Sequence, residues 1–159
     1  TMLARTDLSP VLQSPEPRLL TPHPGEMARF FTAHPQWRNL HRRALAEAFA
    51  KAMAKEKKER DAFNAMGRAY VRFALANPWL FRLMMSPESG KAEQGNSRGH
   101  EMLAREIQKL GGPKLSKAQQ NIRALRAWAI VHGLAMLMLD GLAPHDERII
   151  EQVVDAEGL

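Results

Sequence analysis

The chain has 159 residues, a size typical of one folded domain with its own hydrophobic core. It contains no cysteine, which excludes disulfide bonds, thiolate metal sites and cysteine nucleophiles. The formal charge of +6 would suit contact with nucleic acid, but a basic balance describes solubility and encounter rather than a site. Apolar residues recur at helical spacing and no long alternating strand pattern occurs, so we predict an all-α helical bundle.

The first 35 residues differ from the rest in composition. They contain Pro10, Pro15, Pro17, Pro22 and Pro24, with serine and threonine between them. Proline removes the backbone donors that a helix or central strand needs. We therefore predict a proline-rich arm at 1–35 and one helical domain at 36–159.

Seven helical segments are predicted in chain order, and the first is a short turn at 26–31. Pro35 can open the second helix at its first position. Asp61 is a candidate N-cap for the third. That helix ends at Asn77-Pro78, because a residue before proline is pushed out of helical geometry. The fourth is short and very apolar and begins at Pro78.

The stretch 86–96 is polar and contains glycine, so we predict a surface loop before a fifth helix at about 97–110. The sixth segment, 116–141, is the longest. Ser116 and Gln119 have the capping-box spacing at its start, and Asp140-Gly141 is a plausible end. The seventh helix is predicted to start near Pro144, with acidic residues at its N-terminus.

Nearly every side of the sixth segment is apolar from Ala129 onward. A helix of this kind must be buried on more than one side, against the domain's own helices or a second subunit. We therefore predict a homodimer. No apolar run reaches the roughly 18 residues of a membrane span, and the N-terminus shows no signal peptide, so we expect no membrane insertion and a cytoplasmic protein.

No catalytic or metal-binding motif is recognisable. The sequence has no HExxH, no phosphate-binding glycine loop and no GxSxG turn. We accordingly expect no enzyme activity, no metal and no cofactor. A small helical enzyme remains an alternative, but it has no catalytic constellation to support it.

His132 lies one helical turn from both Trp128 and Met136, on the same side of the long helix. It is either a core histidine with a buried hydrogen-bond partner or a polar contact in an apolar ligand pocket. A third possibility is a contact between subunits.

Aromatic and methionine side chains pose a similar choice between core packing and a pocket. Together with Trp128 and His132, the candidate ligand-binding residues are Met66, Tyr70, Phe73, Phe81 and Met84. Adaptable methionines and aromatic rings of this kind line small-molecule cavities.

Two stretches resemble TetR-type bacterial transcriptional regulators. The segment 69–84, AYVRFALANPWLFRLM, resembles a Tyr-x-x-Phe-Ala helix that meets a proline and continues as Phe-Arg-Leu-Met. The segment 128–141, WAIVHGLAMLMLDG, resembles the Trp-x-x-x-His-Gly signature of one C-terminal, effector-binding domain class. The resemblance covers roughly 37–154.

This resemblance implies a regulator, expected to be a repressor, whose helical domain binds a small apolar effector and dimerises through its last two helices. The interface residues expected from it are Leu134, Leu137, Met138, Ile149, Ile150, Val153 and Val154. Effector binding would change the separation of two helix-turn-helix heads on operator DNA.

The N-terminus departs from the family pattern. The head of such regulators normally occupies about the first fifty residues, whereas 1–40 is rich in proline and shows no such pattern. A truncated chain, a headless relative and a diverged head all fit this departure. The alternative function is a headless helical dimerisation module that does not bind DNA.

Overall fold

The computed structural model describes residues 35–85, 98–111 and 115–156. These residues form six helices and no strand, which confirms the predicted all-α bundle. The helices are α1 (Pro35–Met53), α2 (Glu59–Ala76), α3 (Pro78–Met84), α4 (Arg98–Gly111), α5 (Lys117–Leu139) and α6 (Glu147–Val154). The predicted arm, the turn at 26–31 and the loop at 86–96 lie outside the described residues, except for Pro35.

Most helix starts agree with the capping signals in the sequence. Pro35 is the first residue of α1. The Ser116 Oγ accepts from the backbone N–H of Gln119 at 3.2 Å, and the Gln119 side chain accepts from the Ser116 N–H at 2.8 Å, completing the capping box. At α6, the Asp146 carboxylate accepts from the backbone N–H of Arg148 at 2.8 Å.

The prediction that Asp61 caps α2 is wrong. The helix begins at Glu59, and Lys58 occupies the N-cap without a side-chain hydrogen bond. The backbone N–H of Ala62 already donates to the Lys58 carbonyl at 2.9 Å, so Asp61 lies within the first helical turn. Asp61 and Glu59 both lie in the first turn of α2, where the helix dipole favours negative charge.

The end of α5 requires a left-handed residue. Gly141 has a φ of 71°, a conformation that glycine adopts without steric cost. This turn lets the backbone N–H groups of Leu142 and Ala143 donate to the Leu137 carbonyl, at 2.8 and 3.1 Å. The chain then reverses toward α6, and orphan carbonyls at the helix end are satisfied.

The core lies around α2 and α5. Helix α2 packs against all five other helices, and α5 packs against α2, α4 and α6. Side chains with almost no exposure include Val71 and Ala74 of α2, Phe81 of α3, and Ala135 and Met138 of α5. These two helices therefore fix the positions of the side chains between them and their neighbours.

Within the described ranges, three ion pairs link α2 and α3 to the ends of α5 and α6. Arg68 of α2 donates to Asp155 at 2.6 Å, Arg72 of α2 pairs with Glu147 of α6, and Arg82 of α3 pairs with Asp140. Such exposed pairs typically contribute about 0–1 kcal/mol each.

By length and mean hydropathy alone, α5 could cross a membrane, contrary to the expectation from apolar run length. A mostly buried core helix of a soluble protein passes the same test, whereas 28% of the 18-residue window of α5 is buried within the described part of the chain. Ala127, Val131 and Leu134 are among the α5 residues that are buried against the other helices.

Candidate functional site

A cavity of about 430 Å³ lies between α1, α2, α4 and α5. Its walls are mainly apolar and aromatic, as expected for a small-molecule site of this size. The principal lining side chains are Leu45 and Phe49 from α1, Phe63, Met66 and Tyr70 from α2, Leu103 from α4, and Trp128, Val131 and His132 from α5. Met84, Met85 and Val154 complete part of the boundary.

Most of the seven ligand-binding candidates predicted from the sequence border this cavity. Met66, Tyr70, Met84, Trp128 and His132 do so. The other two do not line it.

Phe81 is fully buried behind the cavity wall, with its ring centroid 5.3 Å from that of Tyr70 and 5.7 Å from that of His132. Phe73 is partly buried and packs against the core. Phe81 therefore supports two rings of the wall from behind.

Sequence reasoning missed several lining residues. Leu45 and Phe49 lie on the apolar stripe of α1, and Leu103 lies on that of α4. Their helical spacing marks them as inward-facing, but the same spacing describes ordinary core residues. Only the packing of α1 against α2 and α4, and of α4 against α5, brings them to a cavity.

A chain of hydrogen bonds crosses one wall of the cavity. The Trp128 Nε1–H donates to the Tyr70 hydroxyl oxygen at 3.1 Å. The same hydroxyl lies 3.0 Å from His132 Nδ1 and 3.9 Å from the Met85 sulfur. Tyr70, whose side chain is buried, thus links two residues that stand one turn apart on α5.

Burial keeps this network uncharged at neutral pH. It raises the pKa of Tyr70 to about 12, against a smaller opposite effect of the hydrogen bond from Trp128. It also lowers the pKa of His132, because the imidazolium loses solvation. Both groups are therefore neutral near pH 7 and offer hydrogen bonds rather than charge.

Aromatic rings form a continuous surface beside the network. The centroids of Phe49 and Tyr70 are 6.3 Å apart and stacked, and those of Trp128 and His132 are 6.0 Å apart. His100 of α4 meets Trp128 edge to face at 5.2 Å. The cavity thus joins an aromatic wall to a small number of fixed polar atoms.

The predicted interface residues fall into two groups. Leu134, Met138, Ile150 and Val154 are buried within this chain, where they belong to the core. Leu137 and Val153 are 46% and 38% exposed, and Ile149 is partly buried. Among the predicted interface residues, this second group presents apolar surface that a second molecule could cover.

Additional exposed apolar residues on α5 were not among the interface candidates. Ile122 and Leu125 are 59% and 56% exposed, and Gly133 has open space beside it. By helical spacing, Ile122 and Gly133 lie within about 60° of Leu137 around the α5 axis. Leu125 lies about 120° from Leu137, on the side of His132, and borders the cavity. In the part of the chain that the structure describes, no group of three His, Asp or Glu residues could hold a metal ion.

Comparison with known proteins gives one family match. A family model described as Tetracyclin repressor-like, C-terminal domain, matches residues 63–157, well over half of the chain. No curated protein and no solved structure matches. The matched segment contains α3 to α6 and most of α2. It includes every ligand-binding and interface residue predicted from the sequence, but not Leu45 and Phe49 of α1.

Proposed function

The chain belongs to the family of Tetracyclin repressor-like C-terminal domains, and on this premise we propose that it senses a small apolar molecule as part of a transcriptional regulator. The observation that carries this proposal is the cavity itself. Its volume of about 430 Å³ suits a compact organic molecule, and its lining is mostly apolar. Fixed polar atoms at Tyr70 and His132 would orient the molecule.

The position of α1 supports a regulatory role for the ligand. Leu45 and Phe49 of α1 line the cavity, and α1 is the first described helix after the N-terminal part of the chain. A ligand that touches α1 can change the packing of α1 against α2 and α4. In the proposed mechanism this movement is transmitted toward the N-terminus, as a shift between two packed states.

We propose that two copies associate through the exposed apolar face of α5 and the adjoining residues of α6. Leu137 and Val153 are the predicted interface residues that remain exposed. A cytoplasmic location and a repressor role are parts of the same proposal. Operator binding requires a helix-turn-helix head on the full-length protein, and the alternative is a dimerisation module that does not bind DNA.

A ligand screen with matched variants tests the sensing role. Ligands that bind the folded state alone must raise the melting temperature, so a panel of compact apolar compounds should include stabilising members. Leu103→Trp places a bulkier side chain, with an indole ring, at the cavity wall and should reduce the ligand-induced rise in melting temperature. Leu110→Trp is the control, because Leu110 lies on the same face of α4 and packs against the core outside the cavity.

Failure of every compound to stabilise the native protein would count against sensing. So would equal losses of the ligand shift in the two tryptophan variants. Such a result would mean that the compounds bind elsewhere or that the substitutions act through general stability.

Association is tested by light scattering with Leu137→Glu and the control Trp79→Glu. Leu137 lies on α5, whereas Trp79 is 81% exposed on α3. Charge at Leu137 should weaken the dimer, and charge at Trp79 should leave it intact. A native protein that is monomeric at micromolar concentration would contradict the proposed dimer.

Duplex binding over a salt series separates the regulator from the headless module. Specific binding that persists above the non-specific level as salt rises would support the regulator. Binding that never exceeds that level would favour the module.

A further inference from the structure

The hydrogen-bond directions at Tyr70 are set by chemistry. The indole Nε1–H of Trp128 can only donate, so the Tyr70 oxygen accepts from it at 3.1 Å. The hydroxyl proton of Tyr70 then needs an acceptor. His132 Nδ1 at 3.0 Å is a strong acceptor, whereas the Met85 sulfur at 3.9 Å is a weak one. The hydroxyl therefore donates to Nδ1.

This arrangement fixes the tautomer of His132. A neutral imidazole whose Nδ1 accepts a hydrogen bond carries its proton on Nε2. Within the described residues, Nε2 has no protein hydrogen-bond partner, and the His132 ring borders the cavity. An N–H donor in a mainly apolar cavity is unfavourable when unpaired, so an occupant that accepts from it gains affinity.

The charge of the cavity lining further restricts the class of ligand that the cavity can bind. No aspartate or glutamate belongs to the cavity lining in the part of the chain that the structure describes, whereas Arg42 does belong to it. A cationic ligand would lose its hydration without gaining a carboxylate partner. The lining thus disfavours amines and other positively charged molecules.

We propose that the cavity binds an apolar molecule that carries a hydrogen-bond acceptor, such as a carbonyl oxygen, and no positive charge, with Nε2–H of His132 as the donor. The inference rests on the proposed sensing function and specifies its ligand class. Trp128 and Tyr70 act in it as positioning residues, because they hold the imidazole in the donating tautomer.

Three probes of matched shape test this inference by calorimetry at pH 7.5. They are diphenylmethane, benzophenone, which replaces the central CH₂ with a carbonyl, and benzhydrylamine, which adds a largely protonated amine at the same carbon. Benzophenone should bind about threefold to tenfold more tightly than diphenylmethane, as expected for one net hydrogen bond. Benzhydrylamine should bind most weakly.

Two variants locate the donor. In His132→Gln the side-chain amide can place an N–H near the Nε2 position, so the preference for benzophenone should persist. In His132→Asn the shorter amide reaches only the Nδ1 position facing Tyr70, so the two affinities should become equal. Circular dichroism establishes that each variant is folded, and the probe series on the native protein decides the ligand class without either variant.

The outcomes separate this inference from the proposed function. Equal binding of benzophenone and diphenylmethane by the native protein would overturn the acceptor preference while leaving a sensing cavity intact. Tightest binding of benzhydrylamine would overturn it in the same way, and so would a benzophenone preference that survives in folded His132→Asn. If none of the three probes binds and no compound of the wider apolar panel stabilises the protein, the results contradict the proposed sensing function.

Discussion

Tyr70→Phe removes one oxygen atom from the middle of the hydrogen-bond network and leaves the ring in place. The substitution deprives Trp128 Nε1–H of its acceptor at 3.1 Å and His132 Nδ1 of its donor at 3.0 Å. The ring contacts of Tyr70 with Phe49 and Phe81 are retained, because phenylalanine has the same ring. The variant therefore isolates the hydroxyl group.

The expected loss of unfolding free energy in Tyr70→Phe follows from the two hydrogen bonds that the substitution removes. Each is worth about 0.5–1.5 kcal/mol net, and an unpaired buried group costs about 1–3 kcal/mol. Trp128 and His132 are only partly buried, so water can satisfy some of their lost bonding. We expect a loss of about 1–2 kcal/mol of unfolding free energy.

Urea denaturation measures this loss. With a slope near 2 kcal/mol/M, the midpoint should fall by about 0.5–1 M while the slope stays the same. A double-mutant cycle with Trp128→Phe should give a coupling of about 0.5 kcal/mol or more, since the two residues share one bond. A Tyr70→Phe midpoint equal to or above that of the native protein would refute the view that the network is satisfied and stabilising.

Three further predictions concern the core and the histidine. Phe81→Ala should cost about 3–5 kcal/mol in urea denaturation because Phe81 is fully buried, whereas Trp79→Ala on the exposed side of α3 should change stability by less than about 0.5 kcal/mol. Gly67→Ala should destabilise the protein by about 1–2 kcal/mol despite the better helix propensity of alanine, because the new Cβ would lie 2.7 Å from a Val154 methyl. Val154→Ala in that background should recover part of the loss. Strictly additive effects of the two substitutions would contradict the clash. The pKa of His132 is lowered in the folded state, so the unfolded state binds more protons below about pH 6.5, and stability should fall as the pH drops through that range. His132→Gln should reduce this pH dependence of stability. An identical pH profile in the variant would contradict the assignment of the effect to His132.

The helix pattern of this protein was largely readable from the sequence because its signals are local. Pro35 and the Ser116–Gln119 capping box mark helix starts that the structure confirms. These signals depend on backbone groups within one helical turn, so no knowledge of distant residues is needed. Asp61 is the one residue of 55–61 with a strong N-cap preference, yet α2 begins at Glu59 with Lys58 as an N-cap that makes no side-chain hydrogen bond. The cap preference of Asp61 therefore did not decide where this helix starts.

The candidate site was only partly predictable for a different reason. Trp128 and His132 are linked in the sequence by their spacing, but the atom that connects them belongs to Tyr70, 58 and 62 residues away. Helical periodicity marks Phe81 and Met66 alike as apolar positions. It contains no information on which of them faces a void and which fills one.

The same limit applies to the outer face of α5. Its sequence alone established a long helix too apolar to stand free, and predicted that some of its sides meet other surfaces. The tertiary structure decided which: Leu134 and Met138 pack inside the chain, while Leu137 remains open to solvent. Sequence fixes the angular position of each residue around a helix axis, but the rotation of that helix against its neighbours depends on the packing of the whole core.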